Sequence, residues 1–195
     1  LALSPMAYFA QFHLDVDCVA MVTASHNANG WTGVKMGVER PLTFGPDEMA
    51  RLKEIVLGEG GRARDGGAYV REAGVAQAYK ADVAAGADIA RPLKVVAACG
   101  NGTAGAFAPE VLRALGAEVI EMDCTLDHTF PHYNPNPEDM KMLHALSARV
   151  TETGADLGLA FDGDGDRCGV VDDRGREIFA DKVGLMLARD LSAEH

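Results

Sequence analysis

In the stretch FDGDGDR, Phe161 to Arg167, three aspartates stand on alternate residues, spaced by glycine and followed at once by an arginine. Alternate side chains of an extended segment point to one side, with Cα atoms about 6–7 Å apart. Asp162, Asp164 and Asp166 therefore present a row of carboxylates. Two such charges about 4 Å apart repel by about 4 kcal/mol at a surface-like dielectric, which calls for a counter-charge. Carboxylate oxygens without a neighbouring imidazole or thiolate select a hard cation, Mg2+, Ca2+ or Mn2+, over zinc. An EF-hand is disfavoured: its sixth and twelfth positions need glycine and glutamate, where Arg167 and Asp173 stand, and the flanking LGLAF and CGVV are strand-like. An acidic, solvated turn between two strands is the competing reading of the same residues.

A second candidate is TASHN, Thr23 to Asn27, where Ser25 follows a short apolar run, His26 adjoins it and Lys35 lies ten positions beyond Ser25. A serine in such a loop can offer its hydroxyl outward as a nucleophile; it can equally make a local turn hydrogen bond. No GxSxG elbow is present, which argues against a serine hydrolase. The third candidate is Gly100, Gly102 and Gly105, which follow LKVVAAC with Glu121 and Asp123 about twenty residues on. That spacing formally matches a dinucleotide-binding fingerprint and also suits a tight strand-to-helix turn.

Elements able to position these residues are legible around them. DCVAMVT, 17–23, reads as a buried strand and VKMG, 34–37, as a second; Pro46 opens a helix reaching about Leu57. Beyond a boundary near residue 72 come a helix over 75–84, a strand over 93–99, a helix over 106–115 and a strand over 117–122. A helix over 137–150, strands over 156–161 and 168–172, and a final helix complete the pattern. The expected fold class is α/β: two domains with mixed, partly parallel sheets flanked by helices.

Bulk properties narrow the function. With 48% hydrophobic and 24% charged residues the chain falls in no disordered or fibrous class. A net charge of -11 argues against nucleic-acid partners and anionic membrane surfaces. No apolar run approaches a membrane span and the first residues lack a signal peptide's pattern, so a cytoplasmic location is expected. Cys18, Cys99, Cys124 and Cys168 form no CxxC pair and are expected to be buried free thiols. Both ends read as helix, as expected of a piece of a longer protein.

Taken together, TASHN with its following lysine, LKVVAACGNGTAG, DHTFPHYNPNPE and ADLGLAFDGDGDR resemble, in order, the α-D-phosphohexomutase family, specifically its phosphomannomutase/phosphoglucomutase branch. The resemblance covers nearly the whole chain. It implies part of a first domain over 1–72 with a phosphoserine loop, and a second domain over 73–195 with a metal loop. It implies that Ser25 carries a phosphoryl group, and that a Ser25 phosphate oxygen joins Asp162, Asp164 and Asp166 around Mg2+. Further implied roles are proton transfer for Lys35, orientation for His26 and phosphate contact for Arg167. The implied reaction interconverts the 1- and 6-phosphates of mannose or glucose through a bound 1,6-bisphosphate. The glycine turn then becomes structural. Two departures stand out: Ala28-Asn29-Gly30-Trp31 replaces the prolines common after SHN, and the sugar-recognition and distal phosphate loops of the four-domain family are missing. A Mg-dependent phosphotransferase or phosphatase without isomerisation, and a nicotinamide oxidoreductase, remain the alternative readings.

Overall fold

The structure, a computed structural model, describes residues 1–58, 60–87 and 89–194. Helix α1 (Ser4–His13) leads into the antiparallel sheet of β1 (Val19–Thr23), β2 (Gly33–Glu39) and β3 (Leu42–Thr43). Helix α2 (Pro46–Leu57) follows, with Pro46 at its start and the Glu48 carboxylate accepting the Gly45 N–H at 2.9 Å. After α3 (Val75–Ala85) comes a five-stranded sheet in the order β5 (Glu118–Met122), β4 (Lys94–Ala98), β6 (Leu157–Phe161), β7 (Cys168–Asp172), β8 (Glu177–Ile178). Helices α4 (Ala108–Ala114), α5 (Met140–Thr153) and α6 (Ala180–Glu194) complete the chain.

The second sheet is mixed, with β4 parallel to both β5 and β6 while β6, β7 and β8 pair antiparallel. Parallel pairing is confined to this sheet among the described residues. KVVAA suits its central place, since a strand covered on both faces needs a nearly continuous apolar run; Val95 to Ala98 are buried. On one side Val96, Ala98, Ala160 and Val171 pack against Met142, Leu146 and Val150 of α5. Gly158 lets α5 approach, because a Cβ there would lie 2.6 Å from Leu146 Cδ1. The other cluster brings Leu3 and Met6 of the N-terminal segment against Cys99, Ala104 and Phe107. Helix α1 thus serves the second sheet as well as its own.

Helix α5 starts at 140, three residues later than expected, because Asp139 caps it by accepting the Lys141 N–H at 2.9 Å. Asp139→Ala is expected to cost about 1 kcal/mol. That corresponds to a thermal midpoint roughly 2–4 °C lower. A calorimetric scan matching the unsubstituted chain would count against the cap. The expected burial of the thiols holds for Cys99 and fails for Cys18 and Cys168, which are exposed: Cys18 precedes β1 and Cys168 starts β7. Helix α6 leaves Leu185, Met186, Leu187 and Leu191 exposed, and no described helix is long and apolar enough to cross a membrane.

Candidate functional site

Because the chain continues from β4 to β5 on one side and returns to β6 on the other, the C-terminal ends of β4 and β6 flank a switch in strand order. Open α/β sheets expose a crevice at such a point. Both sequences that emerge there, Cys99 to Gly105 and Asp162 to Arg167, stand out by composition. The glycines of the first serve protein contacts: Gly100 has φ +52, and a Cβ at Gly105 would lie 2.1 Å from the Cys124 carbonyl oxygen. A Cβ at Gly102 would lie 3.1 Å from Gly163 Cα. The glycine turn is therefore packed against protein where a pyrophosphate would need open space.

The three aspartates each offer an oxygen within one cluster spanning 4.8 Å. Asp162 is fully buried; its Oδ1 accepts the N–H groups of Asp166 at 3.0 Å and Arg167 at 3.1 Å, and its Oδ2 is buried without a partner. Asp164 divides its oxygens the same way. Its Oδ2 accepts from Ser4 Oγ at 2.6 Å, Thr23 Oγ1 at 2.8 Å and Lys35 Nζ at 2.8 Å, leaving Oδ1 buried and unpartnered. Asp166 is exposed and meets Lys35 Nζ at 2.5 Å. Buried polar atoms are normally satisfied, so the two orphaned carboxylate oxygens leave donors that could hold a hard cation. The donor set fits a divalent ion.

Electrostatics follow from this division. Burial pushes the Asp162 carboxyl up to about 6; the Arg167 N–H works against that and the neighbouring carboxylates add to it. Burial acts on Asp164 too, but the hydrogen bonds from Lys35, Ser4 and Thr23 outweigh it and bring that carboxyl down to about 2. For Lys35, burial lowers the pKa, and its bonds to Asp164 and Asp166 more than reverse the effect, so the value is raised. Lys35 is thus held as an ammonium, the reverse of what a lysine base needs.

The β1–β2 hairpin explains the ten-residue spacing. Its register pairs Thr23 with Gly33 and Met21 with Lys35, so Thr23 and Lys35 project from one face, toward Asp164. Ser25 lies in the connecting loop with φ +53, a left-handed conformation that costs a residue with a Cβ about 1–2 kcal/mol. Its N–H donates to Thr23 Oγ1 at 2.8 Å, and its hydroxyl lies 3.3 Å from His26 Nδ1. The Asn134 amide donates to the His26 carbonyl from the PHYNPNP stretch. Closest of all is Gly163, where a Cβ would stand 2.3 Å from the Ser25 carbonyl oxygen. The serine loop is seated directly on the acidic loop.

The structure brings Ser25, His26, Lys35, Asp162, Asp164 and Asp166 together. Arg167 contributes its backbone N–H, while its guanidinium pairs with Glu138 at 3.1 Å and borders a separate groove. Four contributors were assigned no role from the sequence: Ser4, which begins α1, and Thr23, Asn134 and Gly163, which lie inside the TASHN, DHTFPHYNPNPE and FDGDGDR stretches. Membership of those stretches was the signal that could have flagged the last three.

A cavity of about 490 Å3 opens beside Ser25, lined by Trp31, Asn101, His128, Phe130 and Asp164 among others, with no lysine or arginine among its described lining residues. Fold and site together define an α/β protein that seats a serine loop against a triple-aspartate loop at the end of a mixed sheet. Family comparison is specific: "Phosphoglucomutase/phosphomannomutase, alpha/beta/alpha domain I" matches residues 1–61, and the corresponding domain II matches 73–175. The chain belongs to the phosphoglucomutase/phosphomannomutase family. It is 36% identical over 193 residues to a phosphomannomutase/phosphoglucomutase of Pseudomonas putida, an alignment covering 96% of this chain and 40% of that protein. A phosphoglucomutase of Neisseria meningitidis is 36% identical, with coverage of 96% and 41%. The crystal structure of a family protein from Burkholderia thailandensis superposes with a TM-score of 0.89 at 32% identity, covering all of this chain and 43% of that one. The chain thus spans about 40% of the length of the curated relatives it matches.

Proposed function

We propose that this chain supplies the phosphoserine and Mg2+ loops of a phosphohexomutase acting on mannose or glucose phosphates, a partial first domain over 1–72 carrying Ser25 and a second over 73–195 carrying the aspartates. The observation that carries the reading is the contact of the two loops, Ser25 on Gly163 and Thr23 on Asp164. Phosphoryl transfer demands positioning and charge neutralisation more than covalent chemistry. Asp162, Asp164 and Asp166 hold the cation, which when bound neutralises charge on the transferring phosphoryl group.

In the forward step the P–O bond at Ser25 breaks as a bond to a sugar hydroxyl oxygen forms, the proton of that hydroxyl ending on the Ser25 oxygen, which leaves as a free serine hydroxyl beside a 1,6-bisphosphate. The bisphosphate turns and returns its other phosphoryl group to Ser25. His26 orients the Ser25 oxygen through its hydrogen bond. Lys35, kept charged by two carboxylates, donates to phosphate oxygens; a proton-transfer role requires that it first leave those partners. Arg167 reaches a phosphate by exchanging Glu138 for it. Among the described residues no lysine or arginine lines this cavity to meet a distal phosphate, so the described residues alone do not complete the substrate site.

Incubating the chain with millimolar hexose 1,6-bisphosphate and Mg2+, then mapping peptides by mass spectrometry, tests this. A phosphoryl group is expected on Ser25, absent from Ser25→Ala, with no exchange of 1- and 6-phosphates at an enzyme-like rate. Unmodified Ser25 would sink the phosphoserine role. Net release of inorganic phosphate would instead favour a phosphatase.

A further inference from the structure

Thr23 spends one hydroxyl on two loops. A hydroxyl has a single proton to donate and lone pairs to accept. The proton goes to Asp164 Oδ2 at 2.8 Å, because an ionised carboxylate can only accept. A lone pair takes the Ser25 N–H at 2.8 Å, because an amide can only donate. Both bonds have fixed polarity, so the hydroxyl has one satisfied orientation. The β-branched side chain restricts it further at χ1. Ser25 depends on this bond, since its left-handed backbone needs a local partner to persist.

From these bonds we infer that Thr23 is a positioning residue that sets the Ser25 backbone relative to Asp164, linking the serine loop to the metal loop through a single hydroxyl. The inference rests on the phosphoserine and metal reading above and adds a link between its two halves. Ser4 supplies the natural control. It donates to the same Asp164 oxygen at 2.6 Å, from the start of α1, and has no hydrogen bond to residues 23–27 among the described residues. A residue that only supports Asp164 and a residue that also holds Ser25 can thus be told apart.

The test uses the unphosphorylated 195-residue chain, with two readouts besides activity: Mg2+ affinity by titration calorimetry, and hydrogen exchange of the Ser25 amide by NMR. Thr23→Val keeps the shape and removes the hydroxyl; it is expected to weaken Mg2+ about tenfold and to speed Ser25 exchange at least tenfold. Thr23→Ser restores the hydroxyl and should bring both back to within about twofold. Ser4→Ala should weaken Mg2+ while leaving Ser25 exchange unchanged. The inference is overturned if Thr23→Val leaves Ser25 exchange intact, if Thr23→Ser fails to rescue it, or if Ser4→Ala speeds it equally. Absence of any Mg2+ heat from the unsubstituted chain would sink the metal reading and the coupling with it, and is distinguishable because Ser25 exchange is read separately.

Discussion

Gly163→Ala is expected to lower stability by about 3 kcal/mol. That amounts to a drop of roughly 6–12 °C in the thermal midpoint. The reason is contact, since a Cβ at this position would sit 2.3 Å from the Ser25 carbonyl oxygen and 3.7 Å from Pro135 Cγ. A main-chain oxygen cannot swing aside as a side-chain end can. Gly163 is also pinned from behind, its carbonyl accepting the Thr103 N–H at 3.0 Å. The serine loop must therefore retreat from the aspartates. The functional consequence is a larger loss than the stability change: phosphoryl occupancy of Ser25 should fall severely under conditions that load the unsubstituted chain. A thermal midpoint within a degree of the original, measured by calorimetry, would show that the loops do not meet as described.

Asp162→Asn is expected to abolish Mg2+ binding, by about a hundredfold or more in affinity, while making the metal-free chain more stable. The sign follows from burial. A carboxyl whose folded pKa is raised to about 6 carries its full ionisation penalty at pH 7, above both its folded and unfolded values. A one-unit difference in pKa between the folded and unfolded chain corresponds to about 1.4 kcal/mol. The neutral amide removes that penalty, keeps an oxygen for the N–H groups of Asp166 and Arg167, and replaces the orphaned Asp162 Oδ2 with an NH2. A gain of about 1–2 kcal/mol is a reasonable expectation once the altered polar contacts are discounted. Thermal scans in EDTA and in Mg2+ read both effects. A destabilised variant, or one still stabilised by Mg2+, would contradict this account of Asp162. The trade is typical of sites that hold charge for function at the expense of stability.

Alternation and punctuation made most elements legible beforehand. Pro46 and the apolar spacing of Leu52, Ile55 and Val56 place α2 at its observed bounds, and LKVVAAC reads as a strand, observed over Lys94–Ala98. The two-residue strands β3 and β8 were not legible, because two residues carry no period. The expected start of α4 at 106 also missed: a short 3-10 turn over Thr103–Ala106 comes first, imposed by packing of Gly105 on Cys124.

Within the site, charge crowding singled out the three aspartates, since it is a property of side chains and their local spacing, whereas Ser25, His26 and Lys35 drew their expected roles from the family resemblance. What the chain could not declare by itself was pairing. Which oxygen of Asp164 is locked and which is unpartnered, that Lys35 is an ammonium between two carboxylates, and that Arg167 faces Glu138 all depend on partners distant in the chain. The same holds for Ser4, Thr23 and Gly163, ordinary residues until the hairpin register and the β4–β6 crevice set them against one another. Local sequence determined the chemistry on offer; tertiary structure decided its geometry, because hydrogen-bond partners and burial exist only once distant segments have packed.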